Sequence, residues 1–590
     1  MNKKILIGVA WPYVNGDLHP GHIAGCYLPA DIFARYKRLQ GQEVVMVSGC
    51  DCFGTPITIQ ADKEGVTPQE IVEKYVPRTT SLLLETYKIS FDSFTRTDTD
   101  LHRKITQEFF LNLIKDGKII KKSSEQYYSA EDNKFLPDRY VEGECTHCHA
   151  KEQRGDQCEN CGRSLAVGDL INPYAKLSKF PVTLKTTEHY FVDLSKFKTE
   201  LSEYLKDKEK SWRPWVWKEA KAWVDELQSR AITRDIDWGV EIPTKEIEEK
   251  YPEYRIEGAE NKRFYVWFDA VIGYFSEGIK LFEKQGISRE EFLAKFWDKD
   301  DENLEHYLFV GKDNLFFHTL WWQSLLIGQK DSWTPGKSLK LANNVPVNQF
   351  LNLENQKFSK SRNIYIDNTK LVNSFGLDAV RFYLASIMPE NADANWKWDD
   401  FVATNNNELN SNIGNFIHRT LSFYKNKLNN VIPDKRSVDP ESGSSNLFEL
   451  SVQEEINSTF DQVSTYLDKF EFVNALNRIL KLSQFANKYF NDKAPWKSLA
   501  ENRADCEKTI YNCLQVVEAL RILLNPFTPN ASDKLSELLG IEVLPSDRAK
   551  VSGQDYLAFK EVKEFTLAKD PEPLFKKIEP EDIVSFNNPV

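Results

Sequence analysis

The chain opens on an unbroken apolar run, Ile5-Leu6-Ile7-Gly8-Val9-Ala10. A run without polar alternation predicts a parallel strand covered on both faces. A loop rich in Pro, Asn, Gly and Asp follows, from Trp11 to Leu18. Leu28, Ile32, Tyr36 and Leu39 then recur at helical spacing, and Gly41 supplies a C-terminal stop. Val44-Val45-Met46-Val47 predicts a second strand ending at Ser48-Gly49-Cys50-Asp51, and residues 68–117 read as helical. Arg263–Asp269 reads as a resumption of the sheet. His306–Gly311 reads as a further strand, followed by Lys312-Asp313 and a helix through Leu325.

Between about 118 and 240 this rhythm weakens. A cysteine cluster appears there, followed by the basic aromatic segment Trp212-Arg213-Pro214-Trp215-Val216-Trp217. The stretch reads as an insertion into a sheet domain. Residues 339–400 form a short mixed region. From about 401 to 540 the pattern is helical throughout, with Phe472, Ala475, Leu476, Ile479 and Leu480 on one apolar face. Ser442-Gly443-Ser444-Ser445 reads as a loop between helices, and no repeat of solenoid period is present. The fold class expected is α/β. A doubly wound parallel sheet of Rossmann-like kind is split by a zinc-knuckle insertion, and an α-helical bundle follows.

At 590 residues the chain is too long for one core, which implies about three or four domains. No run of about 18 apolar residues is present, so no membrane span is expected. The first residues enter a strand directly and lack a signal-peptide pattern. A net charge of −12 argues against wholesale coating of nucleic acid but leaves room for an RNA partner on a local basic face. Nine cysteines, four of them clustered, suggest a reducing cytoplasm and metal rather than disulfides.

Three groups of residues carry chemistry. His19-Pro20-Gly21-His22 falls where the first strand's carboxyl end should lie. Two imidazoles beside a helix N-terminus can hold phosphates. Gly21 would let a ligand approach the backbone. Taken alone, the four residues read first as surface or capping histidines. Cys145-x-x-Cys148 and Cys158-x-x-Cys161 form a pair of C-x2-C turns with nine residues between, which suits a closed tetrahedral zinc site. Redox pairing is the rival, and His147 and His149 read as bystanders. Such a site has no open position, so the zinc would be structural. Lys357-Phe358-Ser359-Lys360-Ser361, taken alone, is a solvated basic loop.

Together, His19-x-Gly21-His22 and Lys357-x-Ser359-Lys360-Ser361 resemble the two signatures of class I aminoacyl-tRNA synthetases. Within that class nearly the whole chain is similar to the methionyl-tRNA synthetase family. The resemblance rests on Pro12-Tyr13-x-Asn15-Gly16, Asp51-x-x-Gly54-Thr55-Pro56, the cysteine knuckle, and Tyr265-Val266-Trp267-x-Asp269-Ala270-x-Ile272-Gly273-Tyr274. It rests further on Gly311-Lys312-Asp313, Phe317-His318, Asn415-x-x-x-Arg419 and Ala494-Pro495-Trp496. Pro20, Phe358, Val271 and Asn363 depart from the family's usual residues.

The resemblance implies ATP-dependent activation of L-methionine and its transfer to tRNA(Met). It implies catalytic roles for His19, His22, Lys357 and Lys360, with Gly21 also at the ATP. Asp51 would pair with the substrate ammonium. Ala10, Tyr13, Trp267, Ala270, Tyr274, Phe317, His318 and Trp322 would line the methionine pocket. Asn415, Arg419 and Trp496 would read the anticodon; on their own they read equally as a solvated helix face and a core tryptophan. One structural Zn²⁺ and Mg²⁺ with ATP are the implied cofactors. The implied organisation is a catalytic domain in two halves, 1–117 and 241–338, split by the zinc insertion 118–240. A linking region 339–400 carries the lysine loop, and an anticodon-binding domain 401–545 and a tail 546–590 follow. The tail is too short for the extra tRNA-binding barrel of many relatives, so a monomer is expected, and the cysteine usage places it in the cytoplasm. The insertion leaves little room for the editing domain of the leucine, isoleucine and valine enzymes. A different nucleotidyl transferase, or an RNA-binding paralogue without activity, are the remaining rivals.

Overall fold

The computed structural model describes residues 3–137, 140–155, 158, 160, 165, 167–358, 364–430, 447–541, 544 and 554–587. A five-stranded parallel sheet lies at its centre. Its strands are β1 (Lys4–Val9), β2 (Glu43–Cys50), β3 (Ser93–Arg96), β4 (Leu304–Gly311) and β5 (Val347–Asn348). Their spatial order is β5-β4-β1-β2-β3. In register, Gly8 of β1 stands between Leu308 of β4 and Val47 of β2. The chain winds outward from β1 through β2 to β3, then resumes on the other flank with β4. The strand order therefore reverses beside β1, and a crevice opens at the carboxyl ends of β1 and β4.

The strands expected at 5–10, 44–47 and 306–311 all belong to this sheet. Two expectations change. Residues 68–117 are not wholly helical: β3 lies between the helices Pro68–Ser81 and Asp100–Lys115. Ser93-Phe94-Thr95-Arg96 is a short, half-buried edge strand with no apolar run to announce it. Arg263–Asp269 does not return to the sheet. Only Arg263–Phe264 is extended, antiparallel to Thr233–Arg234, and Val266–Asp269 is already helical. A short buried apolar run has no periodicity that separates strand from helix.

In the insertion, Ile119–Ser129 and Thr183–Val192 form a long antiparallel arm, from Ile119↔Val192 to Tyr128↔Thr183. Cys145, Cys148 and Cys158 lie between these two strands in the chain, beside a three-stranded sheet centred on Val141–Cys145. Their apolar cluster, including Tyr127, Val141, Leu170, Cys145 and Cys158, is separate from the main core. The basic aromatic segment is a structural junction. Trp212 Nε1 donates to the Asn343 carbonyl at 2.9 Å. Buried Arg213 donates to the Val347 carbonyl of β5, to Asn348 Oδ1 at 2.7 Å and to the Phe470 carbonyl at 2.9 Å.

The helical region includes Asn415–Leu428, Leu450–Asp468, Phe472–Lys493, Pro495–Glu501, Arg503–Leu524 and Pro529–Leu539. Phe472, Ala475, Leu476, Ile479 and Leu480 are buried as their spacing predicts. The expected loop at Ser442–Ser445 lies outside the described residues. A buried polar seam holds this region to the sheet domain. Arg381 donates to Asp31 Oδ2 at 2.7 Å and to the carbonyls of Pro526 at 2.8 Å and Phe527 at 3.1 Å. Arg35 also pairs with Asp31, at 2.8 Å. Burial pushes the Asp31 carboxyl up, but Arg35, Arg381 and Ser90 outweigh it and hold it at about 2. The C-terminal segment lies along the body: Ile578 N–H donates to Asn406 Oδ1 at 2.9 Å, and Phe586 packs on Trp398 with ring centroids 5.3 Å apart. Among the described residues, no helix is long and apolar enough to cross a membrane.

Candidate active site

A cavity of about 420 Å³ opens at the carboxyl ends of β1, β2 and β4. The loop after β1 supplies Trp11 to His22, the end of β2 supplies Asp51, and the turn after β4 supplies Asp313. Lys357 and Phe358 close one side. Sequence-distant stretches thus meet because parallel strands end together.

The two histidines cap the helix that follows them. His19 Nδ1 accepts from the Gly21 N–H at 3.1 Å, and His22 Nδ1 accepts from the His19 N–H at 3.1 Å. Both Nδ1 atoms act as acceptors, so the neutral rings carry their proton on Nε2. The capping reading and the phosphate-binding reading are therefore compatible. The cap fixes the tautomer, and the tautomer makes each ring a donor. Gly21 has a second reason to be glycine. A Cβ there would come within 2.9 Å of the His19 ring, so Gly21 makes room for that ring.

Phe358, a departure from the family pattern, stacks on His19 with centroids 4.5 Å apart and planes 9° apart. It ties the lysine loop to the histidine motif. Lys357 lines the cavity and is exposed. Lys360 and Asn363 lie outside the described residues.

The inner end of the cavity is aromatic. Ala10, Tyr13, Trp267, Ala270, Tyr274 and His318 line it, as does Val271. Tyr274 packs directly on Gly8, where a Cβ would meet its ring at 2.8 Å. His318 Nδ1 donates to the Asn314 carbonyl at 2.9 Å, so its Nε2 accepts from the Tyr274 hydroxyl at 2.7 Å. Burial lowers the His318 pKa to about 4 and keeps the ring neutral near pH 7. Phe317 does not reach the cavity but stacks on Trp267, with centroids 3.8 Å apart. Trp322 stands one layer further back, against Tyr274 at 6.4 Å. Trp11 is a wall that sequence reasoning did not single out. Its indole lies between Gly49 and Gly273, where a Cβ would approach the ring to 2.3 and 2.6 Å. Glycines at both places are the trace it leaves in the sequence.

Asp51 is buried at the cavity wall, and its Oδ1 accepts from the Phe53 N–H at 3.2 Å. Burial, and then the nearby Asp269 carboxylate, push its pKa well up.

Two further groups lie elsewhere. The sulfurs of Cys145, Cys148 and Cys158 are all within 4.8 Å of one another, close enough to hold one metal ion. Cys161 lies outside the described residues. In the helical region, Arg419 donates to the Asn487 carbonyl at 2.9 Å and to Asn491 Oδ1 at 3.0 Å. Its guanidinium lies 4.2 Å from the Phe490 ring centre, and Trp496 lies against the same ring at 6.1 Å. Asn415 is exposed, and Trp496 is 51 % exposed, unusual for a tryptophan with a core to enter. Phe490, Asn487 and Asn491 escaped sequence reading because helical packing alone brings them to Arg419.

Comparison with known proteins agrees with this architecture. The family model described as tRNA synthetases class I (M) matches residues 5–421. The chain belongs to the class I methionyl-tRNA synthetase family. The anticodon-binding domain of methionyl tRNA ligase matches residues 439–589. The methionine–tRNA ligase of Pyrococcus furiosus is 38% identical over 586 residues, covering 99% of this chain and 76% of the relative. That of Roseiflexus is 40% identical over 545 residues, covering 92% and 87%. Among solved structures, the Mycobacterium tuberculosis methionyl-tRNA synthetase in complex with methionyl-adenylate has the same fold. Its TM-score is 0.75 at 23% identity, covering 97% of this chain and 99% of that one.

Proposed function

We infer that the chain activates L-methionine with ATP to methionyl-adenylate and then transfers methionine to tRNA(Met). One observation carries the chemistry: the tautomer-locked histidines, Lys357, Asp51 and the aromatic end all face one cavity. In the first step the methionine carboxylate attacks the α-phosphate of ATP. A carboxylate is already ionised at pH 7, so the step calls for no general base. The protein's task is positioning and the stabilisation of charge building on phosphate oxygens. His19 and His22 donate from Nε2 on one side of the nucleotide, with Gly21 between them. Lys357 and Lys360 draw off charge from the departing pyrophosphate on the other side. Mg²⁺ bound with ATP supplies further neutralisation of the phosphates.

Asp51 holds the substrate ammonium. The thioether enters between Tyr13, Trp267, Ala270 and Tyr274, under the main-chain wall at Ala10. Sulfur–aromatic contacts there contribute about 0.3–1.5 kcal/mol each. Phe317 and Trp322 act from behind, by fixing Trp267 and Tyr274. Neutral His318 orients the Tyr274 hydroxyl without placing a charge beside the apolar side chain. In the second step a terminal ribose hydroxyl of the tRNA attacks the activated carbonyl. Asn415 and Arg419 offer hydrogen bonds to base edges of the anticodon, and Trp496 offers a plane for an unstacked base.

Cys145, Cys148 and Cys158, with Cys161 as fourth ligand, hold one structural Zn²⁺. Three converging thiols in a segment with little apolar core of its own support this. The chain works as a monomer in the cytoplasm, and its catalytic domain reaches past residue 338 to take in β5. Amino-acid-dependent ATP–pyrophosphate exchange across the twenty amino acids tests the central reading. Exchange with methionine far above the rest is expected, and exchange with another amino acid, or none, overturns it.

A further inference from the structure

Two buried asparagines outside the chemistry above hold the histidine motif from either side. Asn348 ends β5, and Asn368 is the first residue of the helix Asn368–Phe375. They stand at the two ends of the segment that carries the lysine loop. Asn368 Nδ2 donates to the Leu18 carbonyl at 2.8 Å, just before His19. Asn348 Nδ2 donates to the Ala24 carbonyl at 2.9 Å, just after His22. Neither amide can turn over. Asn348 Oδ1 accepts from Arg213 at 2.7 Å, and a guanidinium can only donate. The Leu18 carbonyl can only accept, so Asn368 presents Nδ2 to it and takes the Tyr87 hydroxyl on Oδ1 at 2.6 Å.

Each carbonyl needs a donor that the helix cannot give. Leu18 lies outside the helix Pro20–His22, so its oxygen has no place in the helical ladder. Beyond His22 the helix widens to a π turn, Ile23–Tyr27, in which the Leu28 N–H goes to the Ile23 carbonyl. The next donor in that ladder would come from Pro29, which has no N–H. Asn348 supplies the missing bond at Ala24. Leu18 and Ala24 are themselves buried, so bulk water does not replace a lost donor.

The peptide unit between Leu18 and His19 carries the consequence. Its oxygen is held by Asn368, and its N–H donates to His22 Nδ1 at 3.1 Å. That N–H leaves the His22 proton on Nε2, the edge offered to the phosphates. A bond to a peptide's oxygen fixes its plane and strengthens its N–H as a donor. We propose that Asn368 and Asn348 are positioning residues for adenylate formation. Asn368 fixes the peptide that sets the His22 tautomer, and Asn348 fixes the turn that follows. The segment that carries the lysines thereby also holds the histidines in place. The proposal rests on the reading of His22 as a phosphate donor.

The test uses the whole enzyme. Asn368→Asp keeps the side chain's shape and the acceptor for Tyr87 but turns a carboxylate oxygen on the Leu18 carbonyl. Rapid-quench adenylation should slow roughly tenfold to hundredfold, as for a small misplacement of a reacting group, while methionine affinity by fluorescence titration stays within about twofold. Asn348→Asp, whose carboxylate pairs with Arg213, should slow adenylation roughly two- to tenfold. Long-range proton–nitrogen spectra of enzyme carrying isotope-labelled histidine report the tautomer, with His22→Ala giving the assignment. Wild type should show an Nε2–H ring at His22, and Asn368→Asp a mixture of tautomers. Tyr87→Phe controls for packing. It leaves a buried Asn368 Oδ1 unpaired, so it should lower the melting temperature as Asn368→Asp does and leave the adenylation rate within about twofold.

A wild-type adenylation rate or an unchanged His22 tautomer in Asn368→Asp overturns the proposal. So does a Tyr87→Phe enzyme slowed as much as Asn368→Asp, since the asparagine would then act by packing alone. Where Asn368→Asp does not fold, Asn348→Asp carries the decision, and a wild-type rate there overturns the proposal. The underlying reading fails separately: a His22→Ala enzyme with wild-type adenylation removes His22 from the phosphates, whatever the asparagines do.

Discussion

The cysteine knuckle and the cavity are both built to hold something, and they are held together in opposite ways. The knuckle has a small apolar cluster of its own, and two of the buried members are cysteines. The cavity is walled by the main core, with its rings seated on Gly8, Gly49 and Gly273 and its histidines locked by backbone N–H groups. On the proposed reading the first site is completed by its metal, whereas the second is set before substrate arrives. Ligand removal should therefore unfold the first and leave the second in shape. Substitutions in the first should change folding, and substitutions in the second should change rates.

Metal removal is the largest test of that contrast. Zinc binding is worth about 10–16 kcal/mol in isolated zinc-binding peptides. A chelator should make the segment between Tyr127 and Val182 sensitive to protease while the main melting transition moves little. Metal analysis should give one zinc per chain, and Cys148→Ser should lower metal content and local protection together. Two equivalents, or a fully folded knuckle without metal, would break the contrast.

The next largest effect belongs to the buried seam. Removing Arg381 leaves the Asp31 charge with Arg35 and the Ser90 hydrogen bonds, and breaking a buried ion pair costs about 3–5 kcal/mol. Arg381→Met should lower the melting temperature of the body and leave zinc content unchanged. Asp31 is held at about 2, so it contributes stability above the usual carboxylate range and loses it as pH falls toward 2. The variant raises that pKa, so its acid unfolding midpoint should move to higher pH.

Within the cavity, Lys360→Ala should slow adenylate formation by roughly 10²–10³, because the charge it meets appears only as pyrophosphate leaves. Methionine binding and melting temperature should be nearly unchanged. An unchanged adenylation rate in rapid-quench kinetics would refute the assignment.

Trp496→Ala should lose one base stack, about 1–3 kcal/mol, and so roughly tenfold to hundredfold in tRNA charging. Pyrophosphate exchange needs no tRNA and should not change. The loss should not add to that from an altered anticodon. Equal losses in exchange and charging would make Trp496 a structural residue.

The smallest effect sharpens the link between the two signatures. Phe358→Ala removes the ring stacked on His19, about 0.5–1.5 kcal/mol, and should slow adenylation roughly two- to tenfold. Phe358→Met should restore most of it if the contact is apolar cover for the ring. Full activity in the alanine variant would mean that the loop is positioned elsewhere.

Much of the fold was legible where one local pattern settles one local structure. An apolar run without alternation marked β1, β2 and β4, and helical spacing marked the apolar face from Phe472 to Leu480. Paired C-x2-C turns marked a candidate metal site, of which Cys145, Cys148 and Cys158 do converge, because chelation depends on short spacing. The histidine and lysine motifs were legible as a pair, by resemblance. What the sequence could not decide is whatever depends on two distant segments meeting. The polar edge strand β3 forms because β2 offers it hydrogen bonds, and the short buried apolar run Val266–Asp269 turns helical although no periodicity in it separates helix from strand. Phe317 and Trp322 fall behind the cavity rather than on it, since only the packing of one ring on the next says which is in front. Trp11 needs glycines from two separate loops, and the tautomers of His19, His22 and His318 need partners that folding brings into reach. The isolated carboxylate of Asp269 is the extreme case. In the sequence it is one more aspartate, and only its complete burial without a hydrogen-bond partner among the described residues makes its charge expensive.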